Sequence, residues 1–499
     1  MTDDVLIIGA GPVGLTLAIE LARYNIPVRI VDKSAARTDK SKAAAIWSRS
    51  LELFDRAGCS ADLIEPGNQV TSVNIMSGRK TVAHLDLSTL ETAYPFSLML
   101  PQSETERVLE EHLGRLGVTV DRSLELMGFQ DDGDGVSAVL RHAVGTEETA
   151  RASWMVGCDG AHSLIREQLG LTFLGSTRSD DWILADVEVT GYPFPENELV
   201  IVWHEEGVLV FFPFKHNRYR LIARSGLSQA ERRPDPTLEE FQQVVDRRLP
   251  KGIVLSNALW LSTFRINERQ VNQYRSGRVF VAGDAAHIHS PAGGQGMNTG
   301  MQDAFNLAWK LALVCRGHAS APALLNSYQA ERKVVGREVI EAAGRMTNMA
   351  TLQNPVAQAV RDVVGHVLLG LRPVRQAMED TFAEISIGYP ASPLNGPSVY
   401  RAGTPGVGGR IVPAKGEPPF GAGDTPKFAV LAEYGEGFDA VVDRHRDHLE
   451  PDLRFPPSDE GIWLVRPDAY VAMVAEKGDW EAIGLYLDGL RLTDARSDA

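Results

Sequence analysis

The sequence predicts an α/β fold in which a dinucleotide-binding βαβ unit is combined with an inserted antiparallel β-sheet domain and a small C-terminal domain. Three observations lead to this prediction. A glycine-rich turn separates a strand from a helix at the N-terminus, short β-rich runs fill the middle of the chain, and strand-like and helical runs alternate after residue 427. With 499 residues, the chain is long enough for two or three domains.

The first element is the βαβ unit. Val5 to Ile8 form the continuous apolar run of a buried parallel strand, and a second strand ends at Asp32. The turn after the first strand carries Gly9, Gly11, Pro12, Val13 and Gly14. Its glycines allow a pyrophosphate to approach closely, and Asp32 can accept hydrogen bonds from ribose hydroxyls. An ordinary glycine turn is the alternative, and the unit alone does not separate NAD from FAD.

Two later stretches add the same kind of chemistry. VGCDGAHSLIREQLG (156–170) has a strand-like start, the Asp159-Gly160 turn and a helix. RVFVAGDAAHIHSPAGGQGMNTG (278–300) places Asp284 after a strand, followed by a glycine-rich loop and the start of a long amphipathic helix. A permissive loop before a helix N-terminus lets backbone N–H groups approach an electron-rich or anionic ligand.

With these stretches, the sequence resembles the single-component FAD-dependent aromatic hydroxylases, which are flavoprotein monooxygenases of the phenol and aromatic polyketide type. Three fingerprints in the family's order cover roughly the first 340 residues. In that family the first turn binds the ADP part of FAD, and the second stretch lies where FAD and the nicotinamide cofactor pass. The third stretch holds the ribityl chain and the flavin ring.

The resemblance implies cofactor contacts beyond the first turn. Asp284 is expected to bind a ribityl hydroxyl, and the helix N-terminus after the loop is expected to stabilise the anionic reduced flavin. The further residues implied are Asp32, Lys33, Lys42, Gln102, Asp159, Pro291, Gly294, Gly296, Met297 and Asn298.

No side chain is identified with certainty as a catalytic group. Arg49 matches a common arginine of the family, and a solvated helix face is its alternative. His287 is close to the flavin loop, but isolated histidines are more often structural. No residue spacing indicates a metal site, since Cys59, Cys158 and Cys315 are far apart.

The β-rich runs between the second and third stretches predict the substrate domain. Its aromatic residues either line a pocket or fill a core. The resemblance places this sheet over the flavin, with an apolar substrate site beneath it. The candidates for its wall are Trp47, Trp203, Phe212 and Phe214.

These assignments give a domain organisation. The FAD-binding domain is predicted at 1–72, 97–172 and 268–388, and the substrate domain at 73–96 and 173–267. A Pro- and Gly-rich linker is predicted at 389–426. The segment 427–499 resembles the thioredoxin-like C-terminal domain of phenol-hydroxylase relatives, and it contains no cysteine and thus no CxxC.

Composition excludes several partners. A formal charge of −15 argues against nucleic acid and anionic membranes. No apolar run approaches the roughly 18 residues that span a bilayer, and the N-terminus MTDDVLIIGAG is not a signal peptide. The protein is expected in the cytoplasm, and a homodimer is compatible with the sequence.

The sequence therefore predicts a monooxygenase with non-covalent FAD, NADPH or NADH as the reductant, and O₂ as the co-substrate. The resemblance implies that a flavin C4a-hydroperoxide transfers oxygen to a small phenolic or polycyclic, polyketide-like aromatic molecule. Baeyer–Villiger oxidation, epoxidation and antibiotic inactivation on the same fold are alternatives, as is a non-catalytic flavin-binding protein. The sequence does not choose among substrates or between NADH and NADPH.

Overall fold

The computed structural model describes residues 3–38, 43–78, 80–227, 233–352, 354–399 and 403–491. The strands are β1 (Asp3–Ile8), β2 (Val28–Asp32), β3 (Ala45–Ile46), β4 (Asn68–Val70), β5 (Ser72–Ser77), β6 (Lys80–Asp86), β7 (Ser97–Met99), β8 (Val120–Arg122), β9 (Leu124–Asp131), β10 (Val136–His142), β11 (Glu147–Gly157), β12 (Phe173–Thr190), β13 (Glu198–Trp203), β14 (Leu209–Pro213), β15 (Arg218–Leu227), β16 (Val254–Val271), β17 (Arg275–Ser276), β18 (Val279–Val281), β19 (His287–Ile288), β20 (Ala429–Leu431), β21 (Gly461–Val465) and β22 (Val471–Glu476). The helices are α1 (Pro12–Arg23), α2 (Ser48–Arg56), α3 (Ser60–Ile64), α4 (Gln102–Arg115), α5 (Leu164–Gln168), α6 (Leu238–Arg248), α7 (Gly296–Cys315), α8 (Ala321–Ala350), α9 (Pro355–Gly370), α10 (Arg372–Phe382), α11 (Phe438–Arg444) and α12 (Trp480–Arg491).

The first large sheet contains the N-terminal βαβ unit. Its strand order is β17-β18-β11-β1-β2-β8, with β10 and β9 attached to β11. The strands β18, β11, β1, β2 and β8 run parallel, so their carboxyl ends meet at one edge of the sheet. Ile8, Asp32, Gly157 and Val281 end four of these strands, which brings the three glycine-containing stretches together.

The second large sheet has the order β19-β16-β12-β15-β14-β13-β5-β6. The prediction of an antiparallel sheet is correct for six of its seven strand pairs and wrong for one, because β13 and β5 pair in parallel with Leu199 opposite Val73. Side chains alternate between its faces. Ile183 and Ala185 pack in the cluster with α6, whereas Trp182 and Leu184 lie in the cluster that includes Trp203.

Helices join the two sheets. α7 is buried along almost its whole length and packs against α1 and α8. α9 and α10 pack against β6 of the second sheet, and Glu379 of α10 accepts a hydrogen bond from the Asp86 amide at 3.0 Å. The end of the segment 268–388, predicted within the FAD-binding domain, thus contacts the substrate sheet.

The C-terminal unit is a three-stranded antiparallel sheet, β20-β21-β22, with α11 and α12. Its resemblance to thioredoxin stays a prediction. The described part of the segment 389–426, predicted as a linker, is packed along the unit, because Leu394, Ile411 and Phe420 are buried and Arg410 pairs with Tyr470 in an isolated bridge. Burying these apolar side chains fixes a segment whose composition alone indicates a loop.

Among the helices in the described part of the chain, none is both long and apolar enough to cross a lipid bilayer.

Candidate active site

The glycine-rich turn leaves open space at the start of α1. A Cβ atom on Gly9, whose φ is +104°, would lie 2.3 Å from the Cys158 carbonyl oxygen, and one on Gly14 would lie 1.9 Å from the Gly9 carbonyl oxygen. A Cβ atom on Gly11 would meet no described atom within 4 Å. α1 begins at Pro12 without a side-chain cap. An uncapped helix N-terminus beside open space is suited to an anionic group such as a phosphate.

Asp32 links this turn to the end of β2. Its carboxylate accepts hydrogen bonds from the Ala10 amide at 2.7 Å and from the Ser34 amide at 2.8 Å. Each carboxylate oxygen can accept more than one hydrogen bond, so acceptor capacity remains for a ribose. Lys33 is exposed beside it. Lys42 lies outside the described residues.

Gln102 fixes the next loop from the first turn of α4. Its amide donates to the Ala43 carbonyl at 3.1 Å, and its side-chain oxygen accepts from the Ala43 amide at 3.2 Å. Its side-chain nitrogen donates to Glu106 at 2.8 Å, and burial raises the pKa of Glu106. Gln102 therefore holds the backbone that leads to Trp47.

The Asp159 and Asp284 stretches are joined by an arginine. Arg166 donates to the Ala285 carbonyl at 3.2 Å and to the Ala161 carbonyl at 2.7 Å. Burial raises the pKa of Asp159, whose Oδ2 accepts from the Ile165 amide at 3.3 Å. Its Oδ1 is buried and has no hydrogen-bond partner among the described residues. This oxygen is an acceptor with remaining capacity for a ligand.

Asp303 anchors the turn that carries Asp284. The Asp303 carboxylate accepts from the Gly283 amide at 3.0 Å and from Arg332 at 2.7 Å, and it lies 2.7 Å from His287 Nε2. The His287 ring and the Arg332 guanidinium lower the pKa of the Asp303 carboxyl group, although burial alone would raise it. Asp284 itself is exposed on this fixed turn.

The structure does not bring His287 to an open site. Its side chain is buried, and its ring stacks on Tyr274 with centroids 6.1 Å apart. Because its Nε2 is engaged by Asp303, His287 supports the turn from within the core. Its Nδ1 is buried with no hydrogen-bond partner among the described residues, and a role of His287 in proton transfer stays a prediction.

Arg49 is buried, and its side-chain partners come from α2 and from the C-terminal unit. It is 1% exposed, donates to the Asp468 carbonyl at 2.6 Å and to Glu52 at 2.9 Å, and lies 4.9 Å from the Tyr470 ring. Arg49 therefore fastens the β21–β22 turn to α2. A solvated helix face therefore does not describe it, and its catalytic role stays a prediction.

The loop between β19 and α7 is held in shape by Trp47 and Asn298. The Trp47 indole donates to the Gly293 carbonyl at 2.9 Å, and its amide donates to Asn298 Oδ1 at 2.9 Å. The Asn298 side-chain nitrogen donates to the Ala45 and Gly294 carbonyls. Gly293 and Gly294 have φ values of +87° and +64°, a region that favours glycine. The sequence analysis selected both Trp47 and Asn298, but as residues that contact substrate or cofactor directly.

His289 is a feature of this loop that sequence reasoning noted but did not select. Its Nδ1 donates to the Ser290 carbonyl at 2.8 Å, which makes Nε2 an acceptor in the neutral ring. Nε2 is buried without a partner among the described residues and lies 3.5 Å from the position of a Cβ atom on Gly296. Burial lowers the pKa of His289 to about 4, so the ring is neutral near pH 7. Gly296 and the half-buried Met297 begin α7 beside it.

An apolar pocket opens on the other side of this loop. It encloses about 900 Å³ of empty space, its mouth included. Its wall consists of Trp47, Val73, Ile75, Trp182, Leu199, Ile201, Trp203, Val208, Val210, Phe212, Ile222, Ser290, Pro291, Ala292, Gly293, Gly294, Met346, Thr347, Met349, Ala350, Met378 and Phe382. Phe214, which was expected on this wall, is not part of it. Its side chain is buried 5.8 Å from the Arg220 guanidinium.

The helical half of the wall was not predicted. Met346 and Met349 come from the end of α8, and Met378 and Phe382 come from α10. Methionine adapts to ligands of irregular shape. The four residues lie on amphipathic helices, and this spacing predicts burial without indicating which sheet the helices cover.

The pocket contains no charged side chain among its described lining residues. Its two hydroxyl groups satisfy each other. Thr347 donates to the Ala343 carbonyl at 2.8 Å, so the Ser290 hydroxyl, 2.7 Å from Thr347 Oγ1, is the donor of that pair. The wall therefore favours an uncharged ligand with a large apolar surface.

Comparison with known proteins agrees with this geometry. The sequence matches the FAD binding domain family over residues 2–343. It is 38% identical over 397 residues to the 6-methylpretetramide 4-monooxygenase of Streptomyces rimosus, which covers 78% of this chain and 71% of the relative. It is 34% identical over 390 residues to the rifampicin monooxygenase of Streptomyces venezuelae, with 77% and 79% covered. The structure of the anhydrotetracycline hydroxylase from Streptomyces rimosus aligns with a TM-score of 0.78 at 26% identity, covering 99% of this chain and 100% of that one.

Proposed function

The chain belongs to the FAD binding domain family and is an FAD-dependent aromatic monooxygenase, and from this premise we propose that it hydroxylates an uncharged polycyclic aromatic substrate. NAD(P)H is the proposed electron donor and O₂ the co-substrate. One observation carries the proposal: the loop from Pro291 to Gly294 forms part of the apolar pocket wall and leads directly into the N-terminus of α7.

The residues along the edge of the first sheet fit FAD. The open space at Gly11, the uncapped start of α1 and the acceptor capacity of Asp32 suit the ADP part. The buried Asp159 Oδ1 and the exposed Asp284 supply acceptors further along the same edge. When bound, FAD supplies the redox and oxygen chemistry of the reaction.

The protein's own residues shape two environments around this cofactor. The start of α7 offers a helix dipole to negative charge on the flavin pyrimidine ring, and neutral His289 adds no positive charge there. On the opposite side of the loop, Trp47 and Phe212 orient a flat ring and exclude water from it. No residue of the pocket wall has to act as a nucleophile.

Two observations favour a substrate with several fused rings over a single phenol. The pocket brings together five aromatic side chains and three methionines, namely Trp47, Trp182, Trp203, Phe212, Phe382, Met346, Met349 and Met378. Two relatives that cover more than three quarters of the chain are named for 6-methylpretetramide and rifampicin, which supports a bulky substrate here, whereas a relative named for pentachlorophenol covers 68% of the chain.

The test is a panel of simple phenols and of uncharged fused-ring polyketide aglycones, supplied with NADH or NADPH. We expect aglycones to accelerate NAD(P)H oxidation and to give products heavier by one oxygen atom. Structure determination of the product separates ring hydroxylation from Baeyer–Villiger oxidation and epoxidation. Acceleration by simple phenols alone would contradict the substrate class, and the absence of any oxygenated product across the panel would contradict the proposed reaction.

A further inference from the structure

The turn between β21 and β22 is buried, although turns that join two strands are ordinarily exposed to solvent. It comprises residues 466–470, with the sequence RPDAY, and we call it the anchor turn. The side chains of Arg466, Asp468 and Tyr470 are buried, and Ala469 has a φ of +64°. A residue other than glycine keeps this conformation where the surrounding structure fixes it, and such positions are common near functional sites.

Two arginines at the two ends of α2 donate to the anchor turn. Arg49 donates to the Asp468 carbonyl at 2.6 Å, and Arg56 donates to the Pro467 carbonyl at 2.7 Å. Both arginine side chains are buried. Because hydrogen bonds from a charged donor are strong and directional, the two consecutive carbonyls fix α2 at both of its ends.

The anchor turn is also joined to α8 and α7. Arg466 donates to Glu331 of α8 at 2.6 and 3.0 Å, and it donates to Asp468 at 2.9 and 2.6 Å. Glu331 in turn accepts from Lys310 of α7 at 2.7 Å. Buried networks of this kind are specific in their geometry, so the anchor turn sets the position of α2 relative to α7 and α8.

The position of α2 determines where Trp47 lies, since α2 begins directly after this residue. The Trp47 indole donates to the Gly293 carbonyl at 2.9 Å, and its amide donates to Asn298 Oδ1 at 2.9 Å. A continuous path therefore leads from the anchor turn through Arg49 and Trp47 to the β19–α7 loop. No residue of the anchor turn is among the described lining residues of the pocket.

We propose that Arg49 is a positioning residue for the flavin, and that the C-terminal unit takes part in cofactor binding by fixing Trp47 through Arg49 and the anchor turn. Arg49 acts through Trp47 and does not have to touch flavin or substrate. Without its side chain, α2 loses the bond to the anchor turn that is nearer to Trp47, and the loop at the start of α7 is held less firmly. This inference rests on the proposed placement of the flavin ring against the start of α7.

The other end of α2 provides a matched control. Arg49→Met and Arg56→Met each remove one buried arginine that donates to the anchor turn, but Arg56 is nine residues from Trp47. In both variants the carboxylate that pairs with the removed arginine keeps a second arginine as its partner. The pairs that remain are Glu52–Arg410 and Glu20–Arg23.

The test measures the Kd of FAD by titration of apoprotein, followed by flavin fluorescence, and the midpoint potential of the bound flavin. Arg49→Met is expected to raise the Kd roughly two- to ten-fold, the effect of one hydrogen bond. It is also expected to lower the potential, because the start of α7 stabilises the anionic reduced flavin. Arg49→Lys keeps the charge and is expected to show a smaller change in the same direction. Arg56→Met is expected to lose as much unfolding free energy as Arg49→Met while it keeps the Kd and the potential of the wild type.

A double variant tests whether Arg49 acts through Trp47. Trp47→Phe removes the indole N–H and is expected to raise the Kd of FAD by itself. In the Trp47→Phe background, Arg49→Met is expected to have no further effect on the Kd, since residues that act through one another are not additive.

Several outcomes would overturn the proposal. They are additive effects of Arg49→Met and Trp47→Phe, the same loss of FAD affinity in Arg49→Met and Arg56→Met, and a wild-type Kd in both Arg49 variants. If Trp47→Phe still weakens FAD binding in the last case, the placement of the flavin stands and only the role of Arg49 fails. A wild-type Kd in Trp47→Phe would overturn both. None of these measurements uses a substrate, so the substrate class is tested separately.

Discussion

The two sides of the β19–α7 loop differ sharply in chemistry. On one side of it, α7 and α8 carry a buried charged cluster that extends into the C-terminal unit. The cluster consists of Asp303, Arg332, Lys310, Glu331, Arg466 and Asp468. On the other side, the apolar pocket has no charged wall residue among those described. The first side contains directional bonds between fixed partners, and the second contains aromatic rings and flexible methionines.

This difference indicates how the protein separates two tasks. Charges buried in a low dielectric need well-placed partners, so the cluster tolerates one arrangement and fixes the turn that carries Asp284. Glu331, whose pKa is lowered by Arg466 and Lys310, connects α8 to the β21–β22 turn in the same way. An apolar wall is less specific in direction and adapts to ligand shape. A cofactor of constant structure suits the first side, and a bulky hydrophobic substrate suits the second.

The largest expected effect comes from breaking the buried cluster. Asp303→Asn leaves Arg332 and His287 without their carboxylate, and removing one partner of a buried pair costs about 3–5 kcal/mol. The free energy of unfolding in urea measures this loss. Asp132→Asn removes an exposed carboxylate paired with Arg151 and should leave stability unchanged. Equal unfolding free energies for Asp303→Asn and Asp132→Asn would show that the buried cluster does not stabilise the turn that carries Asp284.

The next effect concerns the cofactor. Asp284→Ala should remove a charge-assisted hydrogen bond to FAD, worth about 1.5–3 kcal/mol, or roughly ten- to hundred-fold in affinity. The turn itself should persist, because Asp303 holds the Gly283 amide. Titration of apoprotein with FAD, followed by flavin fluorescence, measures the affinity. An unchanged Kd would place FAD elsewhere.

The apolar side is tested by two neighbouring phenylalanines. Phe212 lines the pocket and Phe214 does not, although both are 8% exposed. Phe212→Leu removes an aromatic contact with substrate worth about 0.5–1.5 kcal/mol, so KM should rise about two- to ten-fold. Phe214→Leu should lower stability by a similar amount and leave KM unchanged. The pocket assignment fails when the two variants show the same KM.

The most gradual effect is a change of stability with pH. Burial raises the pKa of Glu384 to about 8, whereas an unfolded Glu titrates at about 4.3. Between these values the native state retains a proton that the unfolded state has lost, so stability falls as pH rises, by at most about 1.4 kcal/mol per unit. Glu384→Gln keeps the size of the side chain and its capacity for hydrogen bonds, and it removes the titrating carboxyl group. Its unfolding free energy relative to wild type should increase from pH 5 to pH 8.

Half-exposed Glu125 provides the control for this measurement, since Glu125→Gln removes a surface carboxylate paired with Arg141. Parallel pH profiles for the wild type and Glu384→Gln would show that Glu384 is ionised in the native state throughout this range.

The sequence was informative where function depends on local pattern. The βαβ unit and the order of the three stretches follow from strand–turn–helix signals within a few residues of each other, and the parallel edge of the first sheet confirms that they meet. The aromatic side chains of β13 and β14 were singled out within short β-rich runs, and the family resemblance implied an apolar site beneath that sheet. Phe214 differs from Phe212 because it lies one residue past the end of β14, where alternation no longer determines direction.

Contacts between distant parts of the chain could not be predicted in this way. Met378 and Phe382 reach the pocket because α10 folds back onto the substrate sheet, and nothing in their own segment indicates this. Arg49 matched a common arginine of the family and His287 was close to the flavin loop in sequence, but their partners, Asp468 and Asp303, come from other parts of the chain. A charged residue can only be assigned a role when its partner is known.

The most direct test of the central claim follows the oxygen atom. A fused-ring aglycone that stimulates NAD(P)H oxidation is converted under ¹⁸O₂ in ordinary water, and the product is analysed by mass spectrometry. The account predicts that one ¹⁸O atom is attached to a carbon of the aromatic ring. It also predicts that Phe212→Leu weakens substrate binding without changing the source of oxygen. Incorporation of oxygen from water, or NAD(P)H oxidation that yields hydrogen peroxide but no oxygenated product with any aglycone, would contradict it.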